Sequence, residues 1–142
     1  MTELKQIEGT GDLTDAFQIR HEVFIQEQKV APELEWDEWD KIATHFVLYQ
    51  DKVPIGTARV FEKDGIWYVG RMAIRKEYRG KGYGKFLMDN IMRYLKSKKP
   101  TKIVINAQTS VLSFYRKFGF MEIGDEFLEA GIKHKEMVYL PR

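Results

Sequence analysis

The seven residues Arg79-Gly80-Lys81-Gly82-Tyr83-Gly84-Lys85 have the makings of an anion cradle. Glycines at alternate positions remove Cβ atoms, so successive backbone N–H groups can turn toward one ligand and let it approach closely. The run follows an apolar, strand-like stretch and opens a segment of helical periodicity, which should place the positive end of a helix dipole there. Asp or Glu normally occupies such a first turn. Here Arg79, Lys81 and Lys85 stand instead, which predicts that a bound phosphate brings the negative charge. Two nucleotide motifs fit less well. A P-loop needs a hydroxyl residue after its lysine, and Lys85 is followed by Phe86. A Rossmann turn would space its third glycine one residue later and want an acid about 20 residues on at a strand end. A flexible turn with solvated lysines is the plainer alternative.

A second cluster combines Glu33, Glu35, Asp37, Glu38 and Asp40 with Trp36 and Trp39. Aromatics alternating with acids can desolvate and hold a cation, although such runs are commonly solvated loop faces. Arg20 falls inside the apolar stripe Leu13, Ala16, Phe17, Val23 and Phe24 of a predicted helix, so it needs an acidic partner. Pairing with one of these carboxylates would hold the loop in place, and a structural brace explains the residues about as well as a substrate pocket. The run lacks the calcium-loop pattern, and no metal is expected.

At 142 residues the chain has the size of one domain, residues 1–142, with 44% hydrophobic and 13% aromatic residues for a packed core. A net charge of +2 argues against general nucleic-acid binding. The absence of cysteine excludes a cysteine acyl-enzyme and thiolate metal sites. Neither a signal-like N-terminus nor a membrane-length apolar run is present, so a soluble, cytoplasmic protein without membrane partners is expected.

These groups need a scaffold. Leu4–Glu8 reads as a short strand, followed by a turn and a helix with Asp12 at its cap. Runs 45–49, 55–61 and 66–74 read as an antiparallel meander, Gly82–Lys96 as a helix stopped by Pro100, and 102–107 as a further strand. Val111–Phe118 reads as a short helix closed by Gly119, before a strand pair over 121–127 and 133–140. The order predicts an α+β fold with a mixed, mostly antiparallel sheet flanked by helices. The exposed faces of the strands after Gly119 offer a homodimer contact.

In this order of elements the chain resembles the GNAT superfamily of acyl-CoA-dependent N-acetyltransferases, whose signature is Arg or Gln, two residues, Gly, one residue, then Gly or Ala. Arg79, Gly82 and Gly84 match it, and Asn106 to Phe120 resembles the second motif. The closer likeness is to the small bacterial ElaA-like branch, carried by Arg20, Val23-Phe24, Glu27-Gln28, Glu35, Asp37, Asp40, His45, Ala107-Gln108 and Phe114-Tyr115. The resemblance implies a splayed strand pair at an acyl-CoA site, with acetyl-CoA as cofactor. It places the pyrophosphate over Gly80–Gly84, flanked by Arg79, Lys81, Tyr83 and Lys85. The pantetheine arm and thioester lie along Met72-Ala73-Ile74, with Asn106 and Phe114 also on the cofactor side. Arg20, Phe24, Glu27, Glu35, Asp37 and Asp40 fall on the side of a small-molecule or peptide amine acceptor.

Tyr115 is the implied general acid for the leaving thiolate. The aromatic run Phe114, Tyr115, Phe118 also reads as a helix's core face. The base is open. Many relatives carry a glutamate on the strand before the loop, but 66–74 contains no acid, which leaves Glu35, Asp37, Asp40 and His45 as candidates. The implied reaction is direct attack of the amine on the thioester. A non-catalytic acyl-CoA sensor is the alternative from another class. An acyl-homoserine-lactone-synthase-like acyltransferase, which would require S-adenosylmethionine, is a third.

Overall fold

The computed structural model describes residues 1–141. Seven strands form one sheet: β1 (Thr2–Glu8), β2 (Thr44–Gln50), β3 (Val53–Lys63), β4 (Ile66–Ile74), β5 (Lys102–Gln108), β6 (Met121–Glu129) and β7 (Ile132–Tyr139), in the order β1-β2-β3-β4-β5-β7-β6. Every pairing is antiparallel except that of β4 with β5. The helices are α1 (Thr14–Arg20), continued by a π-helix (His21–Glu27), α2 (Pro32–Glu35), α3 (Tyr83–Ser97) and α4 (Leu112–Arg116). Short 3-10 turns occupy Glu38–Lys41, Lys76–Tyr78 and Thr109–Val111. The α+β class and the mixed sheet are therefore as predicted. No helix among the described residues is long and apolar enough to cross a membrane.

Both faces of the sheet are covered. On one, Leu87, Met88, Ile91, Met92 and Leu95 of α3, an apolar stripe at helical spacing, pack with Phe46, Leu48, Ile55 and Ile105. On the other, Ala16, Ile19, Val23 and Phe24 pack with Val47, Tyr49 and Ala73. β2 lies between these layers and reads as a nearly continuous apolar run because both of its faces are buried. The outer strand β6 leaves Met121, Ile123 and Leu128 exposed.

Three irregularities shape the centre. β4 and β5 pair only from Ile66–Val69 against Lys102–Ile105, and beyond these four pairs they diverge, which is the predicted splay. β4 carries a bulge: Thr57 faces Ala73 and Arg59 faces Gly70, so three steps on β4 match two on β3, with Arg71 at φ 49°. The first helix, expected to keep one periodicity, widens into a π-helix after Arg20. In an i→i+5 helix residues five apart share a side, and here Glu22 and Glu27 reach Arg75 and Arg79 respectively.

Candidate active site

A cavity of about 990 Å³ opens where β4 and β5 part. Met72, Ala73 and Ile74 line it from one strand and Asn106, Ala107 and Gln108 from the other. Arg79, Gly80, Gly82, Tyr83, Gly84 and Lys85 close one end, and Phe24, Glu35, Asp37 and Arg71 line the other side.

The cradle is built by backbone. Gly80 and Gly82 lie at φ 76° and 87°, and a Cβ built on either would meet nothing within 4 Å. Gly82 is the N-cap of α3 and offers no side-chain cap, and the first turn holds no acid. The amides of Tyr83, Gly84 and Lys85 have no intrahelical acceptor, the first α-type bond running from Phe86 N to Gly82 O at 3.1 Å. These donors at a positive helix end fit a phosphate group. Gly84 differs from its neighbours: its φ is not left-handed, and an added Cβ would sit 3.6 Å from the Phe114 ring, an ordinary contact. The cations are engaged locally. Arg79 donates through Nε to Ile74 O at 2.7 Å and through Nη1 and Nη2 to Glu27 at 2.6 and 2.7 Å. Lys85 pairs with Asp89 at 2.8 Å, and Lys81 sits 5.8 Å from the Tyr78 ring centre and does not line the cavity. Glu27 is thus a partner of the cradle's arginine and not a wall of the cavity.

Tyr115 is held in α4 with its ring edge-on to Phe114 and Phe120, and its hydroxyl faces Met72 Sδ at 3.5 Å. Burial pushes the phenol up to about 12, so near neutral pH it keeps its proton and can act as a donor. The bulge beside it is tied down by Arg71, which donates to Leu34 O, Glu35 O and Asp37 Oδ2 at 3.2–3.3 Å.

The acidic loop folds into a buried network. Arg20 donates to Glu35 Oε1 and Asp40 Oδ1, each at 2.7 Å. Arg59 reaches Asp37 at 2.5 and 2.8 Å and Asp40 at 2.8 Å, and Arg71 reaches Glu35 and Asp37 at 3.2 Å. Three guanidiniums thus answer three carboxylates. Burial outweighs the arginines at Glu35 and raises its pKa. At Asp37 and Asp40 burial pulls the same way but hydrogen bonds and charge, from Arg59 and Arg20 respectively before the other arginines, hold the pKa below the ordinary value. Glu35 and Asp37 line the cavity, whereas Arg20 and Asp40 lie behind them. His45 is fully buried, donates through Nε2 to Asp40 O at 2.9 Å and does not line the cavity; burial lowers its pKa. Its position is that of a prop for the acidic loop.

Arg59, Phe61, Tyr68, Arg71 and His134 line the cavity and were not singled out from the sequence. Arg59 and Arg71 complete the network from strands. Trp39, Phe61 and Tyr68 stack in line with ring centres 4.7 and 5.2 Å apart. Gln108 donates to Gln28 at 2.9 Å across the mouth of the splay, and His134, register partner of Gln108, lines the same space. No group of three or more potential metal ligands is assembled among the described residues.

Comparison with known proteins bears on the family and the fold. Residues 10–141 match the family described as acetyltransferase (GNAT) domain. The chain is 36% identical over 127 residues to the uncharacterized N-acetyltransferase YjcF of Bacillus subtilis, covering 89% of this chain and 91% of that one. Escherichia coli ElaA superposes with a TM-score of 0.88 at 23% identity over 98% of this chain and 99% of its own. An acyl-CoA N-acyltransferase from Pseudomonas aeruginosa superposes with the same score at 24% identity, over 98% and 99%.

Proposed function

Because the chain belongs to the GNAT acetyltransferase family, we propose that it transfers an acetyl group from acetyl-CoA to a primary amine by direct attack within a ternary complex. The observation that carries this reading is the convergence, in one cavity, of acceptor-free amides at the start of α3, a splayed strand pair and a neutral phenol facing Met72. The amides of the cradle would take the pyrophosphate. Acetyl-CoA supplies an activated thioester carbonyl. Backbone N–H groups around Met72 and Ala73, turned by the bulge, would polarise that carbonyl, and Tyr115 would protonate the departing sulfur. Proximity of amine and thioester carries much of the rate.

A second reading, a non-catalytic acyl-CoA-binding module, is favoured by one feature: Glu35 and Asp37, the acidic-loop carboxylates that line the cavity, and Asp40 behind them are each already paired with arginine, so none of the three is a free base. Calorimetry with acetyl-CoA followed by thiol release over an amine panel separates the two. Saturable binding with thiol release on one amine class supports transfer. Binding without turnover across alkyl, aryl and peptide amines refutes it.

A further inference from the structure

His134 sits on β7 with 6% of its surface exposed and lines the cavity. Its Nδ1 lies 2.7 Å from the Ile132 carbonyl. A carbonyl only accepts, so Nδ1 carries the proton and the neutral ring presents a lone pair at Nε2. Ile132, two residues earlier on the same strand, packs with Val23 and Val30 on the α1 face, so the two-residue period puts His134 on that face as well. Tyr115 packs with Leu87 and Ile105 on the α3 face. The two groups therefore flank the splay from opposite sides. The charged group facing the imidazole is Glu129 of β6, whose Oε2 is 3.7 Å from Nε2 and which is about half exposed. Phe127 of β6 stacks on the ring at 5.9 Å, β5 offers the neutral Gln108 in register, and Glu136 is the next residue on the same face of β7.

Resting on the proposed acetyl transfer, we infer that His134 Nε2 is the catalytic base that removes a proton from the acceptor ammonium. The freed lone pair forms the N–C bond to the thioester carbonyl carbon, and the C–S bond breaks. The thiolate takes the phenolic proton of Tyr115, and the phenolate recovers one from the nitrogen of the new amide. The proton left on His134 is the one released overall, and Glu129 with the solvent beyond it is its exit. His45 has the opposite tautomer, with Nε2 donating to Asp40 O, and a buried Nδ1 without a partner among the described residues.

Two measurements test this. Long-range proton–nitrogen correlation spectra of protein labelled with 15N-histidine resolve the three histidines. A neutral His134 with its proton on Nδ1 supports the assignment, and a proton on Nε2 overturns it. This uses the unaltered protein, so it decides even if a variant fails to fold. Thiol release by His134→Gln should show kcat/KM about 100-fold or more below wild type, acetyl-CoA affinity within twofold, and loss of the histidine-dependent acid limb of the pH profile. Wild-type turnover together with a variant within threefold of it, acid limb retained, removes the base alone. Absence of wild-type turnover on all amines removes the transfer reaction and the base with it.

Discussion

Replacing Arg20 by Met tests whether the acidic loop is held by charge. The methionine keeps much of the apolar stem but deletes bonds to Glu35 Oε1 at 2.7 Å, Asp40 Oδ1 at 2.7 Å, Glu35 O at 2.9 Å and Asp40 Oδ2 at 3.2 Å. Breaking a buried pair from one side costs about 3–5 kcal/mol. Asp40 retains Arg59 and Glu35 retains Arg71, which favours the lower end, about 3 kcal/mol. With a urea slope of about 2 kcal/mol per M, the unfolding midpoint should fall by about 1.5 M. The loss should depend on pH in a definite direction. Glu35 already binds its proton more readily folded than its ordinary 4.5 allows, because burial outweighs the arginines, and removing Arg20 raises that affinity further. A raised folded pKa means that stability is gained as pH falls through that pKa and is complete below the unfolded value. The gap between variant and wild type should therefore be widest near pH 8 and narrow toward pH 5. Adding Glu35→Gln to Arg20→Met should recover part of the loss at pH 8 and leave little further dependence in this window. A gap under about 0.5 kcal/mol, well inside the cost of breaking a buried pair, or one independent of pH would refute the reasoning.

Two further outcomes follow from the cradle and the phenol. Gly82→Ala forces a left-handed φ on a residue with a Cβ, a cost of roughly 1–2 kcal/mol, and should weaken acetyl-CoA binding by about tenfold. Gly84→Ala, in right-handed helix with an ordinary contact to Phe114, should leave melting temperature and affinity near wild type, and calorimetry showing equal loss at both positions would contradict the backbone account. Tyr115→Phe should bind acetyl-CoA normally, since the hydroxyl's partner is the Met72 sulfur, yet lose about 100-fold or more in kcat; full turnover would remove its role as acid.

What was legible in the sequence was local or charged. The glycine run and the helix signals after it are adjacent, so the cradle could be read from one short stretch. An arginine inside an apolar stripe announced a buried partner, and Glu35 with Asp40 supplied it. The other half of that network was silent, because Arg59 and Arg71 sit on strands where alternation makes a charged residue unremarked. His134 was missed for a related reason: its meaning lies in a carbonyl two residues away and a strand partner, Gln108, that only the sheet's register brings beside it. The alternating glycines looked equivalent on paper, although only Gly80 and Gly82 need left-handed backbone and Gly84 simply continues the helix. The π-helix escaped because over a single turn the apolar spacing of α- and π-helices is nearly the same.

The parting of β4 and β5 gives this sheet an edge in its interior. An outer edge invites any extended chain, which is why proteins blunt such edges. Here the open backbone faces inward from both sides, in a gap that narrows toward the four remaining pairs between Ile66–Val69 and Lys102–Ile105. A whole strand, with side chains standing on both faces, is hard to thread into such a wedge, whereas a slender extended ligand bearing amide groups can bond to one wall as an eighth, guest strand. Among the described residues the halves β1–β4 and β5–β7 are joined as a sheet by those four pairs alone, so a guest in the wedge would act as a staple, and under the proposed transfer the donor would complete the fold that acts on it.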